Sequence, residues 1–154
     1  MRLSGAGEYS MAHSLTLSRE LFVPRDLVYQ VWTEVDHLSG WYSPSAGCTR
    51  EISADVRVGG RYLFAWTTPD GTRFAQSGEY RAVDPPAEFR CSQWYQEGFD
   101  GTFGTQLTVA LAEAAGNTRI DIQQQGFPTE NSRDAARQLW SDLLDQLEGY
   151  FSVI

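Results

Sequence analysis

The sequence predicts an α+β domain in which a curved antiparallel sheet wraps around a long C-terminal helix, with two short helices after the first strand. Three observations lead there. Ala136, Trp140, Leu143, Leu147, Tyr150 and Phe151 recur at helical spacing near the end of the chain, while Arg133, Asp134, Arg137, Asp142, Asp145 and Glu148 fall mainly on the other side. Residues 49–125, before that helix, read as strand after strand. A shorter helical stripe, Leu27, Val28, Val31, Trp32 and Val35, stands ahead of them. A one-sided apolar stripe has to be buried, and the only partner large enough for the closing helix is the sheet. The helix is therefore expected in the concave face, a geometry that often leaves a cavity.

Each element follows from local chemistry. Leu15, Leu17 and Glu20 to Val23 form a first strand ended by Pro24, and Pro24 with Arg25 and Asp26 suits a first helical turn. A second short helix spans Asp36 to Trp41, and Gly40, Pro44 and Gly47 punctuate the passage into the sheet. Thr49 to Val56 is the next strand. Gly59-Gly60 then breaks the pattern, read as a bulge or a close backbone approach, before Arg61 to Thr67. The Pro69-Asp70-Gly71 turn joins that strand to Arg73 through Val83 as a hairpin. Asp84-Pro85-Pro86 ends it, and Glu88 to Tyr95, Thr102 to Glu113 and Thr118 to Gln125 follow, the last two joined at Gly116-Asn117. Thr129 or Asn131 caps the closing helix.

The chain of 154 residues has room for one domain and shows no internal repeat. Met1 to Ala12 lacks apolar periodicity and reads as a flexible tail, leaving 13–154 as the domain. Neither a signal peptide nor a membrane span is apparent, which makes the cytoplasm the expected compartment. All 12 basic residues are arginine and the formal charge is -8, without a basic stripe, so nucleic acid is not an expected partner. Lacking lysine, the chain can form neither a Schiff-base lysine nor a phosphate-loop lysine. Cys48 and Cys91 are far apart, with no neighbouring histidine at ligand spacing, and are expected as free thiols.

The ordered series Pro24 to Trp32, Trp41 and Pro44, Asp55 to Tyr62, Asp70-Gly71, Asp84-Pro85-Pro86, Asn117-Thr118-Arg119, Gly126-Phe127-Pro128, and Trp140 with Leu143 and Leu147 carries a resemblance. From Leu15 to Phe151 the chain resembles the START-like (SRPBCC) superfamily, and within it the branch named after the activator of the Hsp90 ATPase homologue. The resemblance implies the helix-grip (Bet v 1-like, START-like) fold. It also implies ligand binding, or a chaperone partner as in the eukaryotic members, which carry a further N-terminal domain for which this chain has no room. The family often has His where Gln124 stands, so no role of that histidine carries over.

Templates for catalysis, nucleotide binding and metal binding are missing: there is no Gly-x-Ser-x-Gly, no His-Glu-x-x-His and no zinc-spaced Cys/His group. No catalytic residue, metal ligand or cofactor is expected. Alternation instead gathers one face. Tyr62, Phe64 and Trp66, then Phe74, Gln76 and Tyr80, then Phe89, Cys91 and Gln93, share a phase with Leu107 and Ile122 and face Trp140 and Leu143. Glutamines among aromatics would be costly if buried without partners, and polar atoms in an aromatic setting describe many ligand cavities. Two outcomes stay open here, a cavity and a filled core in which the glutamines bond each other or water. The leading reading is a cytoplasmic, non-enzymatic protein binding a small, largely apolar molecule. The alternatives are an Hsp90 co-chaperone-like interaction module, self-association included, and an enzyme of the polyketide cyclase or hydrolase kind.

Overall fold

The computed structural model describes residues 13–154; the predicted tail, Met1 to Ala12, lies outside the described residues. Strand β1 (Ser14–Leu21) is followed by α1 (Arg25–Thr33) and α2 (Val35–Trp41), six strands β2 (Thr49–Ala54), β3 (Arg61–Thr67), β4 (Arg73–Asp84), β5 (Glu88–Tyr95), β6 (Phe103–Ala114) and β7 (Asn117–Gln125), and the closing α3 (Glu130–Tyr150). The strands form one antiparallel sheet in the order β1-β7-β6-β5-β4-β3-β2. From β2 to β7 each strand pairs with its successor, as tight turns require. β1 joins the far edge beside β7, so the two short helices carry the chain from one edge of the curved sheet to the other.

Period-two alternation is what makes the sheet one-sided. In β7, Thr118, Ile120, Ile122 and Gln124 are buried while Arg119 and Gln123 are exposed, and Leu107, Val109 and Leu111 alternate in the same way on β6. From the other side Ala136, Trp140, Leu143, Leu144 and Leu147 of α3 close the core, and Val28, Val31, Trp32, Leu38 and Trp41 of α1 and α2 complete it. Thr129 caps α3: its Oγ1 accepts from the Ser132 N–H, and the Thr129 N–H donates back to Ser132 Oγ, which satisfies two of the amides a helix start otherwise leaves free.

Two strand ends differ from the sequence reading by two residues, and the ends of β4, β6 and β7 by one. β1 stops at Leu21 rather than Val23, because Phe22 has turned out to solvent and the Val23 carbonyl accepts from Thr118 Oγ1. β2 stops at Ala54 rather than Val56, because residues 55–60 fold into a tight turn held by Arg57 N–H to Asp55 O and Gly60 N–H to Arg57 O. The Gly59-Gly60 pair closes that turn and meets β4 as the expected bulge, both glycines standing opposite Tyr80: the Gly59 N–H donates to the Tyr80 carbonyl and the Tyr80 N–H donates to the Gly60 carbonyl. A register shift also falls on β4, between Tyr80 and Ala82. Gly59 has φ +84°, and a Cβ on Gly60 would lie 1.9 Å from the Asp55 carbonyl oxygen.

That geometry makes the glycines unequal. Gly60→Ala forces backbone apart and is expected to lower stability by more than ~2 kcal/mol. Gly149→Ala, in the last turn of α3 with nothing within 4 Å of its Cβ, is expected to raise stability by about 0.5–1 kcal/mol. Urea melts of the two variants beside the parent check the order; a neutral Gly60→Ala would remove the close-approach role.

Candidate ligand cavity

Eleven of the thirteen sequence-selected side chains lie on the sheet face that meets α3, and the other two, Trp140 and Leu143, are on α3 itself; most of them do not line the open space at the end of the grip. Around Tyr62, Phe64, Tyr80, Phe89, Cys91, Gln93, Leu107 and Trp140, with Trp32 and Tyr42, the free volume is about 10 Å³, scarcely room for one water. Aromatic rings fill this deep part: Tyr62 lies 4.7 Å from Phe64 and 5.3 Å from Tyr80, and Tyr42 reaches in from the end of α2 to 4.7 Å from Phe64. Gln76, Ile122 and Leu143 are fully packed beside it.

The buried glutamines have partners. Gln76 Oε1 accepts from the Tyr42 hydroxyl at 2.7 Å. Gln93 Oε1 accepts from Tyr62 at 3.0 Å, and its Nε2 donates to Tyr95 Oη at 3.2 Å. Gln124 is the hub: its Oε1 accepts from the Trp140 indole at 2.8 Å, and its Nε2 donates to Thr105 Oγ1 at 2.8 Å and Tyr95 Oη at 3.0 Å. Because an indole N–H can only donate, Trp140 fixes which end of the Gln124 amide faces which way. Burial sets the acidities here. It pushes the Tyr95 phenol up to about 12 from 10.0, against the hydrogen bonds from Gln93 and Gln124, and the Cys91 thiol up to about 12 from 9.0; Tyr42 and Tyr62 rise well above their ordinary values for the same reason.

The open space lies at one end of the grip. A cavity of about 590 Å³ is bounded by the first half of α3, the 96–102 turn between β5 and β6, and the adjoining ends of β3, β4 and β5. Trp66 and Phe74 line it, stacked with centroids 5.7 Å apart, and are the two sequence-selected residues that do. Phe99 stands edge-on to both and to Tyr95, and Tyr95 stacks on Phe103 at 4.9 Å. Ala135, Ala136 and Leu139 of α3 face these rings, with Pro44 and Pro128 at the ends. The Trp66 indole N–H is buried and without a hydrogen-bond partner. A second hollow, of about 410 Å³ beside Ser14, Thr16, Gln106 and Gln125, has a mostly polar lining.

Sequence reasoning missed Phe99 because it stands beside a glycine turn, where no alternation assigns a face, and missed Phe103 although that residue shares the phase of Leu107 on the strand read from Thr102. It missed Leu139 because that residue sits at the margin of the helix stripe, although its spacing of three from Ala136 was the available signal.

The family model for activator of Hsp90 ATPase homolog 1-like proteins matches residues 23–152. The chain belongs to this family. Among solved structures, the Hsp90-activator-like chain is similar to a protein from Chromobacterium violaceum at 25% identity, covering 88% of this chain and 95% of that one with a TM-score of 0.76. It is also similar in fold to the protein named for this same family from Silicibacter pomeroyi, at 18% identity, 91% and 98% coverage and a TM-score of 0.78. CalU16 from Micromonospora echinospora shares the fold at 20% identity, 91% and 76% coverage and a TM-score of 0.68. No curated protein matches the chain. Membership and fold place this Hsp90-activator-like chain in the START-like superfamily. Among the described residues no helix is long and apolar enough to cross a membrane.

The buried network generates two expectations. Gln124→Leu leaves the Trp140 indole, Thr105 and Tyr95 short of partners and is expected to cost about 2–4 kcal/mol, whereas Gln123→Leu, exposed on the same strand, is expected to change stability by less than ~0.5 kcal/mol; thermal or urea melts check the contrast. The alkaline limb has a fixed sign. A phenol raised from 10.0 to about 12 by folding keeps its proton in the folded state while the unfolded chain loses it. The associated stability is complete below pH 10.0 and is lost as pH climbs toward about 12, at ~1.4 kcal/mol per unit for each such group. Unfolding free energies measured from pH 8 to 11.5 should therefore fall steeply above pH 10, and a flat profile would contradict the buried neutral phenol.

Proposed function

We propose that the protein is a cytoplasmic binding protein that holds a small, largely apolar molecule in the 590 Å³ cavity at the open end of the sheet. The observation that carries the reading is the cavity itself. Its volume falls in the range that encloses a drug-sized ligand, and its walls are mainly aromatic and aliphatic. A ligand lying along Trp66, Phe74, Phe99, Phe103 and Leu139 buries aromatic surface. The deep residues Tyr62, Phe64, Gln76, Tyr80, Phe89, Cys91, Gln93, Leu107, Ile122, Trp140 and Leu143 serve in this reading as the packed floor. Family membership also supports a chaperone-interaction reading, though the cavity gives that role no explanation.

Compounds with a flat apolar body should quench or shift tryptophan emission, because Trp66 is in the wall. At a concentration about a hundred times Kd such a compound stabilises the fold by ~2.7 kcal/mol, a rise in Tm of roughly 5–10 °C for a domain of this size. Ala135→Trp, which places an indole in the cavity from an exposed position on α3, should fold and abolish both responses. If Ala135→Trp responds as the parent does, ligands bind elsewhere. If no compound in a broad apolar set moves Tm and native mass spectrometry of protein from its own host finds no bound small molecule, the binding reading is overturned.

A further inference from the structure

The charged groups around the cavity are of one sign. Of the side chains that line it, Asp100 on the 96–102 turn and Asp142 on α3 are the charged ones, and no arginine is among them. The arginines nearest in sequence are engaged away from it. Arg73 pairs with Glu51 at 3.1 Å and Glu97 at 2.6 Å, Arg133 with Glu130 at 3.5 Å and Asp134 at 3.1 Å, and Arg137 donates to the Thr16 carbonyl of β1. The whole chain carries a formal charge of -8, which adds a field of the same sign.

One feature opposes this. The N-terminus of α3, at Thr129 and Ser132, also borders the cavity, and a helix start favours an anion with the equivalent of about half a positive charge. Two of its free amides are already taken by the capping box, and Glu130 and Asp134 in its first turns offset the rest. Two full carboxylates therefore outweigh a partly neutralised half charge. The same cavity presents the aromatic wall of Trp66, Phe74, Tyr95 and Phe99, and ring faces attract a cation brought within about 6 Å of them.

We propose that the cavity selects organic cations: molecules with a flat apolar body that lies against the aromatic wall and one protonated or quaternary amine drawn to the Asp100 and Asp142 carboxylates. This rests on the reading that the cavity binds a small molecule, and it adds the chemical class. Neutral molecules of the same shape bind more weakly, and carboxylates are rejected, since a buried anion there would face two like charges and no cation.

Three probes share one body and differ in charge: naphthylmethyl-trimethylammonium, its uncharged carbon isostere neopentylnaphthalene, and naphthylacetate. Isothermal titration and tryptophan emission of the full chain should rank them in that order, with the ammonium at least about tenfold tighter than the neutral isostere and the carboxylate weakest. Raising ionic strength from about 0.02 to about 0.5 M should shrink the ammonium advantage severalfold and leave the neutral compound unmoved. The Asp100→Asn/Asp142→Asn double variant should bring ammonium and isostere to within about twofold while keeping the isostere's affinity. A double variant that does not fold would leave the parent's ranking and salt dependence as the deciding measurements. If the neutral compound binds and the ammonium does not bind better, or if the carboxylate binds best, the cation inference is overturned while the cavity reading stands. If the ammonium preference survives intact in the folded double variant, the assignment to Asp100 and Asp142 is overturned. If none of the three binds, the cavity reading falls and takes this inference with it.

Discussion

The bond from the Trp140 indole to Gln124 ties the closing helix to the sheet at the centre of the molecule, and the rest of the arrangement depends on it. Apolar burial would hold α3 against the concave face in many orientations, because the hydrophobic effect has no direction. A buried indole N–H that must find an acceptor has one. Gln124 supplies the acceptor and, with its nitrogen committed to Thr105 and Tyr95, connects β7, β6 and β5 to the helix through a single side chain. Sliding α3 by even part of a turn would strand polar atoms in an environment where each costs about 1–3 kcal/mol. The network thus adds register to a contact whose energy comes from Leu143, Leu144 and Leu147.

With the helix held there, side-chain volume along α3 decides where space remains. Trp140, Leu143 and Leu147 fill the deep part together with the tyrosines of β3 and β4, which leaves about 10 Å³. One to two turns earlier the helix presents Ser132, Ala135 and Ala136 to the sheet, and these cannot reach across to Trp66, Phe74 and Phe103. A helix of graded bulk against the aromatic end of the sheet leaves a wedge, open at the thin end. The cavity is therefore a consequence of composition along one helix.

The architecture was legible because its signals are local and repeated. Arg61–Thr67 and Glu88–Tyr95 have the bounds that alternation and turn chemistry assign, and the cap of α3 is one of the two residues named for it. So was the inward set of Tyr62, Phe64, Gln76, Tyr80, Cys91 and Gln93, since strand parity determines it. Parity says which side chains meet without saying how completely they fill the space between them. That depends on the ring of Tyr42, which arrives from outside the sheet, and on the small residues of α3, and no periodicity encodes either. The turn residues Phe99 and Asp100 lay beyond the same limit, because a glycine turn assigns no face. What the sequence did contain, unexploited, was the run Ser132, Ala135 and Ala136 ahead of Trp140, a gradient of volume that points to the thin end.

The polar chemistry of the core and of the cavity rim can be separated in kind. Every member of the Tyr62, Gln93, Tyr95, Gln124 and Trp140 series is uncharged at neutral pH, and burial pushes the titratable members further from ionisation, Tyr95 to about 12. The amide at position 124 does not titrate at all, where a histidine would change charge near neutrality and disturb both the indole and the phenol bonded to it. The interior can thus stay fixed over the physiological range while charge is confined to the rim, at Asp100 and Asp142. On the proposed reading, a packed neutral floor, an aromatic wall and the Asp100 and Asp142 carboxylates would act on different parts of a bound molecule. Shape and apolar area would be read against the rings and charge at the carboxylates, where a cation keeps part of its hydration and need not bear the desolvation that full burial would impose.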